Sequence, residues 1–277
     1  MGYIMSPEHL HKQMEKEDIV IIDVRSNLQR PDEGFEAYKE SHIPGAYYLH
    51  LEDDLSGEVQ EHGGNHPLPN MERFAKKLSE FGIDEHSQVV IYDEANEMFA
   101  ARAWWLLQYV GVDQTFVLNG GYTAWVQDGY EVTDEVPMKK SKVFQPKVAF
   151  DTTVTMEEVR NRDKQETILI DSRAFDRYLG KTEPLYQKAG HIPGAKNYFW
   201  QDVLDEKGNW KSVAELQEHF KDLKQADEII VSCGSGISAC PNILALQMAG
   251  FNHVKLYPGS FSDWISYEEN KVETKVE

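Results

Sequence analysis

Short runs of β-branched residues alternate along this chain with stretches of helical period, and the alternation is written twice. The runs IVII at residues 19–22 and VVIY at 89–92 are continuously apolar, as expected of strands buried on both faces of a parallel sheet. MERFAKKLSEFG, at 71–82, sets Phe74, Leu78 and Phe81 on one side and ends on Gly82, the pattern of an amphipathic helix with a glycine stop. A second helix is predicted over about 99–110, ending near Gly111, and its counterpart over about 241–249 ends at Gly250. Strand then helix, repeated, predicts an α/β fold with parallel sheets and right-handed crossovers.

The repetition extends to words. IVIIDVR (19–25), SHIPGA (41–46), VVIYD (89–93) and NGGYTAW (119–125) are answered in order by TILIDSR (167–173), GHIPGA (190–195), IIVSC (229–233) and PGSFSDW (258–264). Two copies of one domain follow, expected at 1–133 and 152–277. Between them DEVPMKKSKVFQPKVAFD, residues 134–151, has two prolines and a basic cluster but no sustained period, as expected of a surface linker.

A hydrophobic content of 41% supplies enough apolar surface for a packed core. Lys and Arg total 28 against 47 Asp and Glu, so the formal charge of −19 disfavours nucleic acid and anionic membranes as partners, and an anionic substrate needs local help. The start of the chain has no cationic segment leading into an apolar one, and no run is long enough to span a bilayer, so a cytoplasmic location is expected. Two cysteines seven positions apart, Cys233 and Cys240, make neither a disulfide framework nor a zinc site, and no metal is expected.

The chemistry concentrates at CGSGIS, residues 233–238. In parallel sheets ligands bind beyond the carboxyl ends of strands, and Cys233 follows a strand at such an end, with Pro241 marking the next helix start. Gly234 and Gly236 let the bridge curl so that backbone N–H groups face the sulfur, a setting that favours the thiolate. Cys240, among core-like residues, reads as structural. A C-x5-R phosphatase loop needs an arginine where Ala239 stands, and a cysteine protease needs a histidine that this loop lacks, though one can arrive from elsewhere in the fold. A thiolate ringed by amides can instead accept sulfur and hold it as a persulfide.

With these motifs in order, the chain resembles the two-domain rhodanese family of sulfurtransferases over nearly its whole length. The resemblance implies two tandem rhodanese-like domains, a persulfide-forming Cys233 in the second, and an inactive first copy with Asp93 in the matching slot, which helps to wall the cleft. CGSGIS is similar to the CGSGVT of mercaptopyruvate sulfurtransferases, with changes at Ile237 and Ser238, whereas the thiosulfate enzymes follow the cysteine with Arg and Lys. It also implies donor binding by Arg177 and by the loop residues Gly234, Gly236, Ile237 and Ser238. The second arginine of the family's carboxylate clamp is missing, since its EPR element reads Glu183, Pro184, Leu185 here, and RYLG at 177–180 looks more like the thiosulfate group. Lys181 or Lys188 are candidates to substitute, although a lysine does not reproduce a bidentate arginine.

Ser235 maps to a loop serine that works in the mercaptopyruvate group with a histidine and an acid as a proton relay. By motif the histidine is His42, with Asp32 or Glu33 for the acid; His191 repeats His42, so a turn-fixing role is an equal expectation. Arg102 is expected either to face the cleft or to pair with an acid, while Asp23 with Arg25 and Asp171 with Arg173 read as structural ion pairs. Trp104, Trp105, Trp125 and Trp264 read as core. The implied cycle takes sulfur from a small anionic donor, mercaptopyruvate or alternatively thiosulfate, and passes it to cyanide, a thiol or a thioredoxin-like dithiol, with no cofactor. A persulfide carrier that serves a protein partner is the alternative of another class.

Overall fold

The structure, a computed structural model, describes residues 2–14, 19–96, 98–138 and 141–275. The chain divides into two compact units: Met1–Gly57, Leu68–Ala149 and Glu206–Trp210 form one, and Glu58–Pro67, Phe150–Asp205 and Lys211–Glu277 the other. Each unit thus owns a short segment from the other half of the sequence, which a single cut between the repeats does not anticipate.

In the first unit β1 (Ile4–Met5), α1 (Pro7–Met14), β2 (Ile19–Asp23), α2 (Glu33–Glu40), β3 (Ala46–Tyr48), α3 (Met71–Glu80), β4 (Gln88–Tyr92), α4 (Met98–Tyr109), β5 (Thr115–Leu118) and α5 (Gly121–Gln127) follow one another. Among the described residues the five strands form one parallel sheet in the order β1-β5-β4-β2-β3. The second unit repeats the plan with α6 (Met156–Asn161), β6 (Thr167–Asp171), α7 (Phe175–Tyr178), β7 (Lys196–Asn197), α8 (Val213–His219), β8 (Glu228–Ser232), α9 (Cys240–Met248), β9 (Val254–Leu256) and α10 (Ser260–Trp264). Its strands pair in parallel in the order β7-β6-β8-β9.

Local chemistry sets the element ends. Asn70 caps α3 by accepting the Arg73 N–H at 2.9 Å, and Thr155 with Glu158 and Ser212 with Glu215 form reciprocal capping boxes on α6 and α8. Buried residues surround most of α4, and Trp104, Trp105, Trp125 and Trp264 all lie in the cores. No helix of the described residues is long and apolar enough to cross a membrane. The described part of the 134–149 stretch carries no helix or strand and lies on the first unit, where Lys142, Lys147 and Ala149 donate backbone N–H groups to Ser79, Val110 and Tyr109. Lys139 and Lys140, half of its basic cluster, fall outside the described residues.

The recurring motifs recur because they bond to one another. Arg25 grips the Asp23 carboxylate at the end of β2, Nη2 to Oδ2 at 2.7 Å, and reaches the Ser41 carbonyl at 2.6 Å; Arg173 does the same with Asp171 at 2.6 Å and the Gly190 carbonyl at 2.7 Å. Each guanidinium ties a strand end to the residue just before HIPGA. The histidine of that motif then stacks on a tyrosine, His42 on Tyr38 and His191 on Tyr178, and its Nδ1–H donates to the same tyrosine's carbonyl at 2.7 Å. Its backbone N–H donates to Thr133 or Glu273, which closes each unit onto its own later segment.

Removing the carboxylate leaves a buried guanidinium with the Ser41 carbonyl and, at 3.8 Å, the half-exposed Glu94 carboxylate. Asp23→Ala is expected to lower stability by about 3–5 kcal/mol, read as a fall in the urea midpoint, and a loss under about 1 kcal/mol would show that Ser41 and Glu94 suffice for Arg25.

Candidate active site

Cys233 stands where β8 ends, 1% exposed, and the chain turns back under its sulfur. The Gly236 N–H donates to Sγ at 3.1 Å. Gly236 has φ of +85°, and a Cβ there would stand 2.2 Å from the Pro258 carbonyl oxygen, so backbone conformation and space both demand glycine. The loop is clamped from its other side by PGSFSDW: Phe261 and Ser262 donate N–H groups to the carbonyls of Cys233 and Gly234 at 3.0 and 2.9 Å. Tyr122 and Thr123 do the same to Asp93 and Glu94 in the first unit, which explains why these two motifs travel together.

Ser260 escaped the sequence reading. It takes a left-handed φ of +53° where the first copy has Gly121 at +59°, and its Oγ accepts the Cys233 N–H at 3.0 Å while lying 3.9 Å from Sγ. A serine held in a conformation that favours glycine marks a position where the side chain is needed. The NGG to PGS change between the copies was the available signal.

Of the loop residues, Gly234 and Ile237 are buried and Ser235 and Ser238 half-buried. The Ile237 carbonyl accepts the Cys240 N–H at 3.0 Å, and the Cys240 thiol donates to the Gly236 carbonyl at 3.5 Å, so Cys240 braces the turn. Neither cysteine takes part in a disulfide among the described residues.

Ser235 meets a histidine, and it is His66: Nδ1 lies 2.7 Å from Oγ. The segment 58–67 brings it there as part of the second unit. Asp263 accepts the Gly63 N–H at 2.7 Å, Ser262 Oγ accepts the Asn65 N–H at 3.1 Å, His62 bonds Ser266 Oγ at 2.8 Å, and the His62 ring stacks on Tyr267 at 4.0 Å. Of the two expectations for His42, relay or turn, the contacts of its ring match the turn. Its ring is fully buried between the Tyr38 and Glu135 carbonyls, the turn-fixing role that His191 repeats. Of the two proposed acids, Asp32 is exposed near His50, and Glu33 pairs with Arg30 and Asn27.

Arg177 lies within the same unit as Cys233 but is engaged. Its Nη2 and Nε bond Glu183, the closest contact 2.8 Å, and Glu183 also receives Arg173 Nη1 at 3.2 Å. Glu183 thus bridges two arginines, and Arg177 Nη1 is the guanidinium nitrogen left without a partner among the described residues. Lys181 pairs with Asp176 on the surface, whereas Lys188 lines a cavity of about 300 Å3 with Tyr186, Asn65 and Ser262. Arg102 does not offer its charge to solvent: it is fully buried, with Nη2 donating to the Leu55 carbonyl. In the first unit Asp93 accepts the Ala100 N–H at 2.9 Å, so a carboxylate fills the place of the sulfur.

A family model described as the rhodanese-like domain matches residues 6–128 and again 155–267. A probable 3-mercaptopyruvate sulfurtransferase of Pseudomonas aeruginosa is 36% identical over 277 residues, 98% of this chain and 98% of the relative. The thiosulfate sulfurtransferase of Gallus gallus is 33% identical over 234 residues, 82% of this chain and 79% of the relative. A solved 3-mercaptopyruvate sulfotransferase with the rhodanese fold, from Escherichia coli, superposes with a TM-score of 0.81 at 30% identity, covering 95% of this chain and 100% of the other.

Gly236→Ala combines a left-handed alanine, costing about 1–2 kcal/mol, with a collision at the Pro258 carbonyl. It is expected to lower the urea midpoint and to slow alkylation of Cys233, and a variant as stable and as reactive as the parent would show that the turn does not shape the sulfur site.

Proposed function

This chain belongs to the rhodanese-like domain family, and we propose that it is a sulfurtransferase that carries sulfur from 3-mercaptopyruvate to a thiophilic acceptor as a Cys233 persulfide. The observation that carries the reading is the Gly236 amide 3.1 Å from Sγ at a strand end, with the Ser235 and His66 pair one residue away.

The Cys233 thiolate attacks the sulfur of the donor. An S–S bond forms, the C–S bond breaks, and its electron pair stays on carbon as the enolate of pyruvate. That carbon needs a proton. Ser235 gives up its hydroxyl proton to it and is reprotonated from His66 Nδ1–H at 2.7 Å, after which the imidazole recovers a proton from solvent. The Gly236 N–H stabilises the sulfur anion, and Arg177 holds the donor's anionic end through Nη1. Cyanide, a small thiol or a thioredoxin-like dithiol then attacks the outer sulfur and restores the thiolate. Electrons move only as pairs between sulfur and carbon, so the displacement requires no redox cofactor. A reducing compartment such as the cytoplasm suits two thiols that form no disulfide.

Thiosulfate is the second reading, favoured by Arg177 in its RYLG setting and by the thiosulfate sulfurtransferases among the relatives. Its S–S bond breaks to release sulfite, and no carbon needs a proton. The two donors therefore make different demands on Ser235 and His66.

Initial rates with each donor at equal concentration, cyanide as acceptor and Cys233→Ser as the blank, are expected to favour mercaptopyruvate more than about tenfold, or roughly 1.4 kcal/mol. His66→Ala is expected to cut kcat with mercaptopyruvate by about 10²–10⁴ and to change thiosulfate turnover by less than about tenfold. Equal losses with both donors would sink the relay, and faster turnover of thiosulfate by the parent would reassign the donor while leaving the persulfide.

A further inference from the structure

Beside the CGSGIS loop stands a polar group that the cycle leaves unused. The Tyr186 hydroxyl lies against Gly234, 2.8 Å from the point a Cβ on that glycine would occupy, so the absent side chain makes room for the phenol. The ring is held in place. The Arg177 guanidinium stands 5.5 Å from its centroid, and Phe261 meets it edge-on at 5.9 Å. Phe261 is itself packed under Arg173 at 4.0 Å and belongs to the buried core of this unit.

So fixed, the hydroxyl makes no hydrogen bond to any described residue. Burial first, and then the charge of Cys233, push the phenol above its ordinary value, so at neutral pH it remains an O–H donor. A half-buried hydroxyl that no side chain engages is open to water or to a ligand's oxygen. The arginine charges beside it are balanced, Asp171 and Glu183 binding Arg173 and Arg177, and Lys188 lines the same cavity as the ring. The Arg177 Nη1 and the Tyr186 hydroxyl are two donors without a partner among the described residues, beside one cation–π contact.

The sequence places this tyrosine with some point. The clamp arginine of the family's EPR element is replaced by Leu185, which is 61% exposed, and the very next residue is the one that turns inward. Tyr186 also forms a wall of the cavity of about 300 Å3 that Asn65, Lys188, Ser262 and Ile265 help to line, which gives a small keto acid room beside it.

We propose that Tyr186 is a donor-binding residue whose hydroxyl hydrogen-bonds the carboxylate of an α-keto acid donor, the task for which this chain lacks a second arginine. The proposal rests on the mercaptopyruvate reading above and adds to it the group that selects the carboxylate.

Tyr186→Phe keeps the ring, its contact with Arg177 and its packing on Phe261, so the urea midpoint should not move. With mercaptopyruvate, kcat/KM is expected to fall about tenfold or more, chiefly through KM, because a hydrogen bond to a charged group is lost. With thiosulfate, which has no carboxylate, the change should stay within about twofold. Persulfide formation on Cys233 is followed in parallel by mass spectrometry as the gain of one sulfur atom. If the parent gains sulfur from mercaptopyruvate and the variant's kcat/KM is unchanged, the role of Tyr186 falls alone. An equal loss with both donors overturns the carboxylate assignment, since the hydroxyl would then be serving the Cys233 sulfur. If the parent gains no sulfur from mercaptopyruvate, the assignment of donor falls and the proposal with it.

Discussion

The contact between the Gly236 N–H and the Cys233 sulfur, 3.1 Å long, fixes what everything near it must be. Here the chain reverses within a single turn after Cys233, and that reversal passes through a left-handed residue, Gly236 itself at φ +85°. Only glycine fits, because the Pro258 carbonyl fills the space a Cβ would take. Pro258 stands there because PGSFSDW clamps the loop through Phe261 and Ser262. The same clamp places Ser260 beneath the Cys233 amide and Asp263 where it receives the Gly63 N–H, and that segment carries His66 to Ser235. A sulfur cradle, a strained serine and a histidine drawn from early in the sequence are thus consequences of one packed turn.

Much of this could be read in advance because it is local. Strand runs, the helix after β8 and the position of Cys233 depend on residues within a dozen positions of one another, and the duplication displayed each motif twice. His66 was missed because its partner is 169 positions away and no periodicity links them. Motif matching led to His42 instead, a residue conspicuous for being repeated, and repetition turned out to signal the shared scaffold. A usable clue was present. Residues 49–70 hold no helix or strand, and ordered loops longer than about 12–15 residues are commonly functional. Tyr186, in the role proposed for it, was overlooked for a different reason: the absent arginine prompted a search for another cation rather than for a neutral hydroxyl.

Charge explains why a neutral group suits this place. The chain carries −19, yet adding bare cations near the sulfur would bury unpaired charge, which is costly in a half-dry site. Here each arginine is held by a carboxylate, Arg173 by Asp171 and Glu183 and Arg177 by Glu183. Such pairing fixes the guanidinium groups and leaves Nη1 of Arg177 without a partner among the described residues. On the proposed reading an anion is met by oriented hydrogen-bond donors, and selectivity follows from the shape of the acceptor: a planar carboxylate and a tetrahedral sulfur oxyanion present their oxygens differently to a fixed pair of donors.

The first copy shows how little the scaffold must change to gain or lose this chemistry. It keeps the reversal, with Asn96 at φ +57° where the second copy has Gly236, since asparagine tolerates the left-handed region better than most side chains. It keeps the clamp through Tyr122 and Thr123, and it uses Gly121 at the conformation Ser260 adopts. Asp93 then turns its carboxylate to the Ala100 amide, and a carboxylate cannot accept sulfur. In the first copy the side chain at the strand end braces the following helix; in the second, with a serine at 260 and a histidine brought to Ser235, the same place holds the cysteine through which the proposed sulfur transfer runs.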